Sequence, residues 1–167
     1  HNVSSAASDV YKRQIKDTKL TPRIAETANA LFKIYVFLTV VCAIAYWVAG
    51  MSWFDALSHS FSTISIGGFS TYDESLGHFD NNAVLTIASI FMVVSGLNFA
   101  LHYTAWHARS IKSYISDPEA RLFVLVILFG ILVTTYFLYT TASMPNEEIL
   151  FVGVFQLISI LTTTGFT

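Results

Sequence analysis

Two glycine-centred segments, residues 66–70 (IGGFS) and 163–167 (TTGFT), hold the chemistry this sequence offers, and it is chemistry of the backbone. Each follows a short apolar stretch, 53–66 in one case and 149–161 in the other. Glycine reaches positive φ without steric cost, so Gly68 and Gly165 mark places where the chain can turn sharply after a helix. At membrane depth, non-helical N–H and C=O groups persist only where protein or water satisfies them. A short helix leading into such a turn therefore implies a pore lining.

The side chains are less suggestive. His59, His78, His102 and His107 show no metal-ligand spacing beyond the five-residue step from His102 to His107, and they read as polar packing. The one cysteine, Cys42, lies in an apolar run and reads as a small buried hydrophobe, which leaves neither an intramolecular disulfide nor a thiolate cluster. Asp55 stands near the start of the first short apolar stretch, where it can cap a helix or, with Asp73, Glu74 and Asp80, concentrate cations. No paired base and nucleophile, phosphate loop or dinucleotide fingerprint occurs, so neither catalysis nor a bound cofactor is expected.

The elements around the glycine segments must be membrane helices. The 167 residues are 54% hydrophobic and 12% charged, with mean hydropathy +0.58, against roughly 25% charged residues in soluble domains. Residues 34–49, 83–101 and 122–139 carry no charge, and each approaches the roughly 20 residues that cross a 30 Å hydrocarbon core. Thr21 and Pro22 predict a helix start ahead of the first run. The runs are apolar throughout, whereas barrel strands would alternate. Gly96 and Asn98, inside the second run, predict close approach to and hydrogen bonding with a neighbouring helix.

Charge sets the orientation. The basic residues Lys12, Arg13, Lys16, Lys19, Arg23 and Lys33 precede the first run, and Arg109, Lys112 and Arg121 lie between the second and third. Connectors 50–82 and 140–148 hold Asp55, Asp73, Glu74, Asp80, Glu147 and Glu148 and no basic residue. Basic connectors face the cytoplasm, so the acidic ones face outside. The 53–66 stretch, too short to cross and flanked by outside segments, must dip in and return. Nothing in the net charge of −2 points to nucleic acid; the partner it implies is the lipid bilayer.

The arrangement repeats. Laying Gly68 on Gly165 places Phe54 on Phe151, Ser62 on Ser159, Phe69 on Phe166 and Ser70 on Thr167, and it superposes the spans. The first unit covers 15–112, with spans near 24–49 and 83–107, a pore helix near 53–65 and the loop 66–70. The second covers 113–167, with a span near 119–140, a pore helix near 148–161 and the loop 163–167. The fold expected is all-α integral membrane, in units of span, re-entrant helix, glycine loop and span, with the second unit lacking its closing helix.

Residues 59–73 (HSFSTISIGGFSTYD) and 161–167 (LTTTGFT) resemble the first two filter loops of the Trk/Ktr/HKT potassium transporter superfamily. The resemblance extends to 21–28 (TPRIAETA), 47–51 (WVAGM) and 116–121 (SDPEAR), and is closest to the Trk subunits. It implies potassium uptake across the bacterial cytoplasmic membrane, with potassium as cargo held by backbone carbonyls. The residues implicated are Ile66, Gly67, Gly68 and Phe69, with Thr163, Thr164, Gly165 and Phe166 in the second loop. Both phenylalanines are expected to wedge their loops against the pore helices. The second loop resembles the T-x-G-Y-G of potassium channels in its first threonine, its glycine and an aromatic; the first keeps only Gly68 and Phe69. The resemblance further implies four fused repeats, a homodimer and a cytosolic nucleotide-binding regulatory subunit.

Residues 4–14 (SSAASDVYKRQ) resemble the translation of a sequencing adaptor, and with the first three residues they are set aside as an artefact and leader. The chain is expected to be a piece of a longer reading frame and inactive by itself. Two other readings stay open: a polytopic transporter of another solute, which would lack further T-x-G-F-like loops, and a membrane scaffold without transport.

Overall fold

The computed structural model describes the backbone of residues 3–141 and 146–167, and side chains over 24–141 and 151–167. Seven helices follow in order: α1 Val3–Val48, α2 Trp53–Ile64, α3 Asn82–Gly96, α4 Phe99–Ala108, α5 Lys112–Ser116, α6 Pro118–Thr141 and α7 Asn146–Leu161. A 3-10 turn, Ser75–Phe79, precedes α3. Among the described residues there is no strand, and the fold is all-α.

Two helices are long and apolar enough to cross a membrane alone, Ile24–Val48 of α1 and Pro118–Thr141. Only 17% and 6% of their most apolar windows are buried, so their greasy faces are left for lipid or further protein. α1 continues through Pro22 instead of starting there, at the cost of one backbone hydrogen bond. The Thr21–Pro22 start is therefore corrected to a position inside a longer helix. The side chains of the basic residues before Ile24, and those of Glu147 and Glu148, lie outside the described residues.

The second span is also corrected. The expected continuous helix breaks into α3 and α4, bent by 89°. The 15 residues of α3 reach about 22 Å. Leu97 is extended, with φ −75° and ψ 152°, and the Asn98 side chain caps α4 by accepting from the Ala100 N–H at 3.0 Å. His102 donates from Nε2 to the Val94 carbonyl, 3.0 Å away, and so satisfies an acceptor near the end of α3. Gly96 keeps the close-approach role expected of it: a Cβ there would lie 2.8 Å from Cζ of Phe123 on α6. Asn98 acts as a cap rather than as a bridge between helices.

α1 packs along α2, α6 along α7, and α3 lies against both α2 and α7. One core runs through all of them, from Cys42, Tyr46 and Met51 to Met92, Ile127, Phe155 and Phe166. Cys42 is buried as expected. Lys33 of α1 shares a groove with Trp106 and His107 of α4, and the next groove along joins Ile34 to Arg109. At the other end of α1, the Ala49 carbonyl accepts from Asn81 at 2.9 Å. The described basic residues and the acidic 73–80 connector therefore occupy opposite ends, as the charge pattern requires.

Candidate functional site

The two glycine loops begin in the same way. α2 ends at Ile64 and Ser65 caps it. The Ile66 N–H then bonds the Thr63 carbonyl at 3.2 Å, and the Gly67 N–H bonds the Ser62 carbonyl at 2.8 Å. After α7, Thr163 N–H bonds Ile160 at 2.9 Å and Thr164 N–H bonds Ser159 at 2.9 Å. Both pairs form the Schellman stop, whose pivot residue is left-handed and is usually glycine. Here the pivots are β-branched, Ile66 with φ 56° and Thr163 with φ 60°. A β-branched residue at positive φ is an outlier, and backbone strain of this kind gathers at functional sites.

Two residues later φ is positive again, 66° at Gly68 and 85° at Gly165. Gly67, Phe69, Thr164 and Phe166, which follow the four positive positions, are not in that region. Each loop thus alternates the sign of φ over four residues, and the register of the two matches the internal repeat.

The loops also touch. A Cβ built on Gly68 would fall 1.9 Å from the Thr164 carbonyl oxygen, so the second loop's backbone lies directly on the first loop's glycine. A Cβ on Gly165 meets nothing within 4 Å, and its positive φ alone favours glycine there. At the far end Gly77 N–H donates to the Thr167 carbonyl at 3.3 Å, and Thr167 N–H donates to Ser75 Oγ at 3.2 Å.

Different groups hold each loop from behind. In the second, Ser159 Oγ donates to the Phe166 carbonyl at 2.8 Å, and the Thr162 and Thr164 hydroxyls pair at 2.8 Å. Phe166 is buried, as expected of a wedge. Phe69 corrects the same expectation for the first loop: it is 80% exposed and packs no wedge. Ser62, which matches Ser159 in the repeat, is correspondingly left with a buried hydroxyl that has no partner.

The first loop is fastened instead by a polar cluster at the start of α2. Ser52 Oγ accepts from the Asp55 N–H at 3.1 Å and donates to Asp55 Oδ2 at 2.6 Å. Thr71 donates to Oδ1 and the Tyr72 hydroxyl to Oδ2, each at 3.2 Å. The Ser52 hydroxyl, with those of Thr71 and Tyr72, outweighs desolvation and holds the Asp55 carboxyl below the usual carboxylate range. Asp55 is thus a buried cap and loop anchor, whereas Asp73, Glu74 and Asp80 are exposed. Ser52-x-x-Asp55 is a capping pattern legible in the sequence. Ser159 and Thr162 carried no comparable signal.

His59 is fully buried in this cluster. Its Nδ1 lies 2.8 Å from the Asp55 carbonyl and its Nε2 2.9 Å from Ser70 Oγ. A carbonyl can only accept, so Nδ1 carries a proton, and in the neutral ring the Ser70 hydroxyl donates to Nε2. Among the described residues no group of three His, Cys, Asp or Glu side chains is arranged to hold a metal ion.

A family profile described as TrkH, cation transport protein, matches residues 2–167. The chain belongs to the TrkH family. The Trk system potassium uptake protein TrkH of Halomonas elongata is 50% identical over 153 residues, covering 92% of this chain and 32% of that protein. The TrkH of Escherichia coli K12 is 47% identical over 158 residues, with the same coverage. The crystal structure of the potassium transporter TrkH from Vibrio parahaemolyticus superposes with a TM-score of 0.85 at 47% identity, over 87% of this chain and 32% of that one. The chain spans about a third of the length of these TrkH relatives, and its family and its apolar helices mark it as a multi-pass membrane protein.

Proposed function

We propose that the full-length protein carrying this chain takes up potassium across the bacterial cytoplasmic membrane. Its filter is a ring of backbone carbonyls built by fused pore-loop repeats, and this chain supplies the 66–70 and 163–167 loops. The observation that carries the reading is the contact of two loops of the same backbone form, Gly68 against the Thr164 carbonyl. Carbonyls of Ile66, Gly67, Gly68 and Phe69, with those of Thr163, Thr164 and Gly165, replace the water that a potassium ion sheds, while the Phe166 carbonyl is taken by the Ser159 hydroxyl. Alternating φ rolls successive peptide planes in step, which supports presenting their oxygens to one side.

The surroundings favour a cation. α2 and α7 each run straight into their loops, so the negative ends of both helix dipoles meet the site. Asp73, Glu74 and Asp80 raise the local cation concentration outside. Residues 15–112 and 113–167 act as the first repeat and part of the second, and two loops alone do not close a ring. From the family resemblance the whole protein pairs as a homodimer and is governed by a cytosolic nucleotide-binding subunit.

The experiment is growth rescue. The full-length protein should restore growth of a potassium-uptake-deficient bacterium at low potassium, and Gly68→Ser should raise the concentration required or admit sodium. Unchanged rescue and sodium exclusion in Gly68→Ser and Gly165→Ser, at normal membrane abundance, would remove the filter assignment.

A further inference from the structure

Resting on that reading of the loops as a filter, we infer that His59 is a positioning residue for ion selection. From within the first pore helix it fixes the first loop at Ser70 and abuts the second at Phe166.

The ring has two polar ends and uses both. Nδ1–H donates back to the helix carbonyl of Asp55, which sets the ring's orientation, and Nε2 accepts the Ser70 hydroxyl. Ser70 Oγ in turn accepts the Tyr72 N–H at 3.1 Å, so one side chain of the pore helix holds the backbone at the far end of the loop. His59 is fully buried beside half-buried Ser70, and its loss takes from the Ser70 hydroxyl the acceptor that ties the loop to the pore helix.

The same ring is the meeting point of the two repeats. Phe79 packs edge-on against it with centroids 5.3 Å apart, Tyr72 lies parallel at 6.5 Å, and Phe166 of the second loop is tilted at 6.5 Å. The carbonyl of that Phe166 is held by Ser159, so a shift of His59 is felt by both loops. In the second repeat the matching position is Gln156, an amide of similar reach that can also accept a hydroxyl.

The test is ion uptake by the full-length protein in potassium-uptake-deficient cells, with half-saturating potassium, maximal rate and sodium entry read at equal membrane abundance. Variants are His59→Leu, His59→Gln, Ser70→Ala and Gly68→Ser, with His107→Leu at an exposed position of α4 as the control. His59→Leu and Ser70→Ala should each raise half-saturating potassium and relative sodium entry by about threefold to tenfold, the scale of one lost hydrogen bond, with a smaller change in maximal rate. His59→Gln, which keeps an acceptor for Ser70, should stay near the parent. If His59→Leu fails to reach the membrane, Ser70→Ala decides, since it removes one hydroxyl. Parental selectivity in Ser70→Ala, or in a well-expressed His59→Leu, while Gly68→Ser admits sodium, overturns the role of His59 and leaves the filter standing. Parental selectivity in Gly68→Ser as well removes both.

Discussion

Gly68 and the Thr164 carbonyl meet at a distance that admits no side chain, with 1.9 Å between that oxygen and the Cβ any other residue would bring. Gly165 has no such neighbour. The two glycines of the repeat are therefore required for different reasons, one by contact and torsion, the other by torsion alone.

Alanine separates these reasons. Gly68→Ala forces the loops apart, and half-saturating potassium should rise on the order of tenfold or more, while Gly165→Ala, which costs only the left-handed torsion of about 1–2 kcal/mol, should have the smaller effect. Uptake kinetics of the two full-length variants check the order.

The pivots Ile66 and Thr163 predict the opposite sign. Glycine at either position removes the left-handed penalty of a β-branched residue, so Ile66→Gly and Thr163→Gly should each stabilise the local fold by about 1 kcal/mol. A higher melting temperature of the detergent-solubilised protein is the expected result, and a lower one would mean that side-chain packing outweighs the torsion.

Asp55 makes the first loop sensitive to acid. Its folded pKa is lowered, so its contribution is complete above the unfolded value near 3.9 and is lost as pH falls through the folded value. Thermal stability should be insensitive to this group from pH 8 to about 5 and fall below about 4. Asp55→Asn should be less stable at neutral pH by about 1–3 kcal/mol and show less of that acid decline.

The orientation is open to labelling. With Cys42 first changed to serine, Glu74→Cys in the full-length protein should react with an impermeant thiol reagent from outside, and Lys112→Cys only from the cytoplasmic side. The reverse pattern would invert the topology.

The apolar helices and the matched backbone form of the two glycine loops were legible because hydropathy and glycine spacing are local properties of the chain. The break at Gly96–Asn98 escaped because the residues on both sides are apolar, and the two halves together are long and apolar enough for one span. Its signs, a glycine followed by an Asx cap, are few against a long greasy run. The left-handed turns at Ile66 and Thr163 were hidden by side chains that normally exclude that torsion. Phe69 and Phe166 match by sequence yet one is exposed and the other buried, because burial depends on neighbours brought from elsewhere in the chain. His59 and Ser70 lie only 11 residues apart, but their bond depends on the loop folding back along its own helix.

The clasp between Thr167 and the 3-10 turn has a consequence for biogenesis. Thr167 and Ser75 are 92 residues apart, with α3 to α7 between them, so the bond closes a large loop and belongs among the late contacts. During synthesis the turn emerges first, and its Gly77 N–H and Ser75 hydroxyl offer a template on which the end of the second glycine loop docks. A fault in the insertion of α6 would then cost the cell both loops at once, because the second would lose its template and the first the backbone that lies against Gly68.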